Sequence, residues 1–456
     1  MASLSPRAWP FAFRLTAAGL CTVCFFAVTT DPTHGQKVPD ARALGVHLTG
    51  TPGPLNAITD VEGVEVGHAT IIRGEGALVV GEGPVRTGVT AILPRGRAAG
   101  DSAFAAWFTL NGNGEMTGTT WVEESGILES PILITNTHSV GVARDAVIDW
   151  MRRKDPSFLW ALPVVAETYD GSLNDINGFH VKPEHVFAAL DGARSGPVEQ
   201  GAVGGGTGMI CHGFKGGIGS ASRVVSAQGG EYTVGVLVQC NQGARRDLRV
   251  AGVPVGELLP EPGPCYADPS VPADLRWEGV PLCSASGGGG PRSGGVPGVA
   301  PGSFSEAPAT GFEGFFPDGL VDPTPEGAGS IIIVLATDAP LLPTQMKRLV
   351  TRTALGLARM GGMGYNGSGD IFIAFSTANR RAAAERTEIV SLEMLPNDAV
   401  NPLIAASVHA TEEAILNAML AAETLTGING FTVPALPHEA LRDIMEKADP
   451  VWRGNR

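Results

Sequence analysis

One serine in this 456-residue chain stands where a hydroxyl could be made reactive without a histidine. Ser368 lies between two glycines in the stretch Gly361-Gly362-Met363-Gly364-Tyr365-Asn366-Gly367-Ser368-Gly369-Asp370, and the apolar run Ile371-Phe372-Ile373-Ala374-Phe375 follows at once. The glycines let the backbone take positive φ and approach another group closely. The β-branched and aromatic run after them fits an interior strand. A phosphate-cradling loop would instead open a helix and carry a Lys-Ser/Thr pair, which is absent. A hydrolase elbow needs Gly-x-Ser-x-Gly before a helix, with an acid and a histidine later in the chain, and that order is absent too. The nine histidines are scattered. His138, His212 and His409 have no partner at metal-ligand or charge-relay spacing and read as structural. One route to an active hydroxyl remains open: a cut just before the serine, whose own α-amine (pKa about 7.7–8.0) then serves as general base. Gly367 minimises crowding at the carbonyl, and Asn366 and Gly364 permit a strained turn. The competing reading is a tight turn before a core strand.

The remaining composition sets the class of partner and the compartment. With 43% hydrophobic and 17% charged residues, the chain can bury the core of one large or two ordinary domains. The formal net charge is −14, without a Lys/Arg cluster, which disfavours nucleic acid and anionic membranes and leaves a small molecule or peptide as ligand. Arg7 and Arg14, the apolar stretch from Leu15 to Val28 and the polar residues Thr29 to Gln36 have the layout of a secretory leader, expected over residues 1–36. The apolar stretch is shorter than the ~20 residues that span a bilayer, so no stable anchor is expected after its removal. Leu20 and Val23 are too bulky before Cys21 and Cys24 for a lipoprotein site. The expected location is periplasmic or secreted. There Cys265 and Cys283 could close a disulfide, whereas Cys211 and Cys240 read as buried free thiols. No metal site and no cofactor are indicated.

The elements that must position Ser368 follow from periodicity. A strand pair is predicted from Ala57 to Ile72 with a turn at Glu62-Gly63, and further strands at Thr87 to Leu93, Ile132 to Thr135, Leu162 to Val165, Tyr232 to Gln239 and Gly329 to Thr337. Helices are predicted from Gly141 to Arg152 and Pro343 to Met360, with a final long helix carrying Leu403 to Leu420. Gly204 to Gly208 reads as a turn, or as a loop able to cradle an anion. Eight glycines and three prolines within residues 284–303 mark 261–328 as a mobile insertion. Strands gather early and helices late, which favours helices packed outside stacked sheets, an α+β class.

An ordered set of motifs resembles one family: Ile58-Thr59-Asp60-Val61, Val66-Gly67-His68-Ala69-Thr70, Asn111-Gly112-Asn113-Gly114-Glu115, Thr135-Asn136-Thr137-His138, Glu167-Thr168-Tyr169-Asp170-Gly171, Gly204-Gly205-Gly206-Thr207-Gly208-Met209, Gln239-Cys240-Asn241, Ala336-Thr337-Asp338-Ala339-Pro340 and Asn366-Gly367-Ser368-Gly369-Asp370. The family is that of the self-processing serine aminopeptidases of the DmpA and β-peptidyl aminopeptidase type. The resemblance covers about residues 55–260 and 329–430. It implies a four-layer αββα sandwich of the N-terminal-nucleophile kind, related to the ornithine acetyltransferase fold, in one domain over 37–456. It also implies self-cleavage between Gly367 and Ser368, short peptide, amide or ester substrates, and a homo-oligomer. Ser368 then resembles the nucleophile, Asn241 the oxyanion-hole amide, Tyr169 a hydroxyl donor and Glu167 the acid that receives the substrate's amino group. The family's supporting serine and glutamate match less directly. Thr411 with Glu413 keeps the spacing and the acid, while Ser407 with His409 keeps the serine.

Two other functions compete. An acyltransferase of the ornithine acetyltransferase type would use an N-terminal threonine inside the cell, against Ser368 and the leader. A non-catalytic secreted binding protein would need the same glycine turns and no cut.

Overall fold

The apolar runs form strands buried on both faces, as continuous hydrophobic segments must. In the computed structural model, which describes residues 41–97, 102–259, 263–277, 280–283, 329–380, 383 and 387–453, ten strands carry the architecture. They are β1 (Glu65–Arg73), β2 (Val85–Leu93), β3 (Ala103–Gly112), β4 (Ile127–Leu128), β5 (Ile132–Asn136), β6 (Val164–Thr168), β7 (Gly217–Ala227), β8 (Gly230–Asn241), β9 (Gly329–Thr337) and β10 (Ser368–Ser376). One sheet has the order β1-β2-β5-β6 and the other β4-β3-β10-β9-β8-β7. The expected leader, residues 1–36, and 284–328 of the expected insertion lie outside the described residues.

The alternation along β10 shows how the layers are cemented. Ile371, Ile373 and Phe375 point into the core between the sheets, with Ile332, Val334 and Leu237 beside them and Ile92, Ile134 and Ala166 facing them. Phe372 and Ala374 point the other way, into a core shared with the helices α3 (Pro343–Arg359), α4 (Asn401–Leu420) and α5 (His438–Arg453). The smaller sheet turns Val89, Leu133 and Val165 outward onto two further helices, α1 (Val140–Lys154) and α2 (Pro183–Asp191). Helix, sheet, sheet, helix is therefore the layer order. Each such fully buried large side chain stabilises by about 1.5–3 kcal/mol. Parallel β9 and β10 lie side by side at the centre of the larger sheet, joined by the α3 crossover that a parallel pair requires. Close approach of α4 to β7 depends on small residues: a Cβ on Gly219 would lie 1.9 Å from the Ala414 carbonyl oxygen.

Four expectations are corrected. The segment from Ala57 to Ile72 is not a strand pair, because Ile58–Asp60 is a 3-10 turn stapled by the Asp60 carboxylate to the Leu55 and Ala57 N–H groups, leaving only β1. The long helix α4 is not the last, since α5 follows it. Cys211 and Cys240, read as free thiols, are joined in a disulfide, as Cys265 and Cys283 are. The beginning of the expected insertion is ordered by that second bond: Cys265–Tyr266 adds a strand to Phe431–Val433, and the rings of Tyr266, Trp277 and Phe431 pack together.

Candidate active site

The strand register brings three chain segments to one end of the larger sheet. Asn241, the last residue of β8, lies opposite Ser330 of β9, which lies opposite Gly369 of β10; Ser368 is opposite Gly329. Strands are spaced about 4.8 Å apart, so Asn241 stands roughly 10 Å across the sheet from Gly369.

Hydrogen bonds hold Ser368 and the residues on either side of it. Its N–H donates to the Tyr365 carbonyl at 2.9 Å, closing the turn that the glycines allow. Its hydroxyl donates to Asp370 Oδ1 at 2.6 Å. The Gly367 carbonyl, immediately before it, accepts a hydrogen bond from Asn113 Nδ2 at 2.9 Å. Asn111 binds the same turn twice, donating from Nδ2 to the Tyr365 carbonyl at 2.9 Å and accepting the Asp370 N–H at 2.8 Å. Tyr365 is tied further by its hydroxyl, which donates to Asp247 Oδ2 at 3.0 Å. Gly369 must be glycine here, because a Cβ would meet the Asn113 carbonyl oxygen at 2.3 Å.

The other chemistry-bearing groups come from the smaller sheet and the loops beside it. Glu167, near the end of β6, is 3% exposed, and its carboxylate accepts hydrogen bonds from the Glu115 N–H at 2.9 Å and from the Thr137 hydroxyl. Burial raises its pKa, against the lowering effect of those two bonds. Gly114 separates it from the strand of Ser368: a Cβ there would lie 3.2 Å from Glu167 Oε1 and 3.3 Å from Gly369 Cα. Asn241 accepts the Ile210 N–H at 2.7 Å and donates from Nδ2 to the Tyr169 carbonyl at 2.9 Å, which fixes the amide's orientation and uses one of its two N–H donors. Tyr169 follows β6 directly and its ring lies half-exposed over Gly171. Lys215, fully buried, has its ammonium bound to the carbonyls of Met209 at 2.7 Å and Gly216 at 2.8 Å, and burial lowers its pKa to about 7. It fastens the loop that presents Ile210 to Asn241.

Ser368, Asn241, Tyr169 and Glu167 are thus brought to one region, and Thr411 and Glu413 are not. Thr411 donates to the Ser407 carbonyl inside α4 and lies against Gly356 of α3. Glu413 is buried in a network with Arg42, Arg223 and Asn56. Arg223 is level in register with Val234, Thr337 and Ser376, eight residues along β10 from Ser368. At about 3.3 Å per residue the Arg223 backbone is roughly 26 Å from Ser368 along the strands, while Gly219, against the Ala414 carbonyl beside Glu413, is level with Phe372; β7 itself lies three strands, roughly 14 Å, across the sheet from β10. The alternative pair goes with it, since the Ser407 hydroxyl caps the Ile404 carbonyl and the His409 carbonyl accepts from Arg223. Burial alone would raise the Glu413 pKa, but its arginine partners reverse the sign and hold it below the usual range. Its contribution to stability is therefore present above the ordinary glutamate pKa and lost as pH falls through the lowered one. Glu413→Ala is expected to cost about 3–5 kcal/mol by leaving Arg223 buried and unpaired. The loss should be read in the urea midpoint, with kcat of the folded enzyme far less affected.

The Gly204–Gly208 segment is no anion cradle. Its N–H groups at Gly204 and Gly205 are spent on the hydroxyls of Thr70 and Thr90, at 2.8 and 3.1 Å, and the loop is wholly buried. Asp370 and Asn113 carried no assigned role in the sequence, although both stand in the motifs quoted above. A carboxylate two residues beyond Ser368 on a strand, hence on the same face, was the available clue.

The profile of peptidase family S58 matches residues 56–433, nearly the whole of this architecture. The chain belongs to peptidase family S58. Two β-peptidyl aminopeptidases named BapA are similar to it. The one from Sphingosinicella microcystinivorans is 52% identical over 409 residues, 90% of this chain and 92% of the relative. The one from Sphingosinicella xenopeptidilytica is 41% identical over 441 residues, covering 96% and 98%. Among solved structures, the L-aminopeptidase D-Ala-esterase/amidase of Ochrobactrum anthropi, described as a prototype serine aminopeptidase and a variant of the Ntn hydrolase fold, superposes with a TM-score of 0.72 at 41% identity, over 90% of this chain and 99% of that one. The αββα sandwich of this S58 member is accordingly that Ntn-type fold.

Proposed function

We propose that this S58 member is an aminopeptidase that matures by cutting its Gly367–Ser368 bond and then uses Ser368 as nucleophile, its freed α-amine acting as general base. The observation that carries the reading is the position of Ser368 at the head of the central strand, with its hydroxyl and the preceding carbonyl both held, at 2.6 and 2.9 Å. In this reading Asn241 donates to the oxyanion of the tetrahedral intermediate, and the Tyr169 hydroxyl supports the reacting centre. Glu167 receives the substrate's ammonium group, which restricts the enzyme to N-terminal residues because a peptide interior offers that buried carboxylate no charge. Short peptides, amides and esters are the substrates. The names of the two relatives make N-terminal β-residues the first to test, with L- and D-residues beside them. The reading includes removal of the leader, residence in the periplasm or outside the cell, and a homo-oligomer. The exposed side chains of Leu159, Trp160 and Leu162 support association.

N-terminal sequencing of the purified protein tests the reading: two chains are expected, the smaller beginning at Ser368. A single intact chain with full activity would sink it. Glu167→Gln keeps the shape and removes the charge. It should raise KM about 10- to 100-fold, the worth of a hydrogen bond to a charged group, with kcat changed far less. Because the raised pKa of Glu167 must be exceeded for the carboxylate to be charged, substrate affinity should fall as pH drops through it. The Gln variant should lack that step, and an unchanged pH profile would remove Glu167 from the ammonium site.

A further inference from the structure

Before the cut, Ser368 has no α-amine to act as base, because its nitrogen belongs to the bond that must break. The uncut chain needs another acceptor for the hydroxyl proton. Asp370 occupies that place: it is two residues along β10, hence on the same face, and accepts the Ser368 hydroxyl at 2.6 Å. Its backbone is pinned by Asn111, and the residue is 1% exposed. Burial raises its pKa to about 6, moderated by bonds from Ser368, the Ile331 backbone and Asn111, so at neutral pH it is ionised yet more basic than an exposed carboxylate. At the other end of the scissile bond, Asn113 Nδ2 already donates to the carbonyl oxygen that would become an oxyanion.

We infer that Asp370 is the general base and Asn113 the oxyanion donor of self-cleavage, a set separate from the α-amine and Asn241 assigned to peptide hydrolysis. The inference rests on the proposed self-cutting role of Ser368. The Ser368 oxygen bonds to the Gly367 carbonyl carbon while its proton passes to Asp370, and Asn113 holds the resulting oxyanion. The carbon–nitrogen bond then breaks, and Asp370 returns the proton to the departing nitrogen. An ester between Gly367 and the Ser368 oxygen and a free α-amine result. Water opens the ester to the Gly367 carboxylate and the Ser368 hydroxyl, so one water is consumed.

Among the described residues, few titratable groups surround Asp370. Tyr365, bonded to Asp247, lies on the preceding turn. Glu167 and Glu115 lie beyond Gly114. Arg359, paired with Glu412, ends the helix that leads into the turn. On the adjacent strands, β9 presents Ser330 and Ile331 and β3 presents Asn111.

The test is pulse-labelled cell-free synthesis of the full chain, following release of the small chain with time. Asp370→Asn is expected to slow release at least about 100-fold, the lower range for general-base catalysis, and Asn113→Ala by about 100- to 1,000-fold. Wild-type release should increase with pH up to about 6, the Asp370 value, and then level off. Ser368→Ala, uncut, supplies the folding control by its melting temperature. Release from Asp370→Asn within threefold of wild type, with Ser368→Ala uncut, overturns this inference and leaves the nucleophile assignment standing. Cleavage of Ser368→Ala at the same bond overturns the proposed function itself. Should Asp370→Asn melt well below the control, the wild-type profile decides: a flat rate between pH 5 and 7.5 overturns the role of Asp370.

Discussion

Ser368→Ala is expected to accumulate as one uncut chain with hydrolysis of amide substrates reduced by at least about 10⁵-fold, the scale on which loss of a nucleophile is felt where the residues act as a unit. The change deletes one hydroxyl and should leave the fold intact. Ser368 is 5% exposed, and among the described residues its side-chain hydroxyl bonds to Asp370. The melting temperature should therefore move by a few degrees at most, so the loss is chemical. Two losses are combined in it. The hydroxyl that attacks the substrate is gone, and so is the hydroxyl that frees the α-amine. Electrophoresis separates them from a binding role, because a binding protein would show the same bands and the same ligand affinity in both forms. Appearance of two chains from the alanine variant, or activity within tenfold of wild type, would end the assignment.

Asn241→Asp should be the second largest effect, lowering kcat by about 10²–10³-fold, or roughly 2.7–4 kcal/mol, with a smaller change in KM. Aspartate is the more telling substitution than alanine. It still accepts the Ile210 N–H, which Asn241 Oδ1 binds at 2.7 Å, so the loop fastened by Lys215 stays in place. What it loses is the donor: an ionised carboxylate can neither hold the Tyr169 carbonyl nor face an oxyanion. Its negative charge adds repulsion to the lost hydrogen bond, which puts the expectation at the upper end of the range. A kcat within threefold of wild type would remove Asn241 from the oxyanion site and leave it as a tether for Tyr169. Steady-state kinetics on one chromogenic amide, with the two-chain state checked first, decides between the two.

The sequence by itself determined the central strand and the residue at its head. A run from Ile371 to Phe375 with no polar position can only be buried on both faces, and the glycines around Ser368 can only serve a turn or a close approach. It also determined the order of the motifs that carry the family resemblance, and with them the positions Glu167, Tyr169 and Asn241 that the proposed function uses. Those residues flank strong strands, and a strand end is legible because alternation stops there. Short-range punctuation was less legible. The 3-10 turn at Ile58–Asp60 is held by a carboxylate reaching back to two N–H groups, which no hydrophobic period reveals.

Only the tertiary structure decided what stands beside Ser368. Thr411 and Glu413 satisfy a spacing rule, but which strands they stand over depends on where α4 crosses the sheet, and Arg223 and Gly219 of the edge strand β7 fix that crossing. The pairing of Cys211 with Cys240 depends on the Ile210–Cys211 segment folding back beside the end of β8. Asp370 and Asn113 were present in the motifs from the outset. Their meaning needed β3 and β10 to pair at Gly112 and Gly369, because only that register lays the Asn113 amide on the Gly367 carbonyl while Asp370 takes the hydroxyl two residues away. Local sequence specifies which atoms can react. Register between strands distant in the chain specifies which atoms meet, and that is set by the summed burial of whole faces rather than by any one motif.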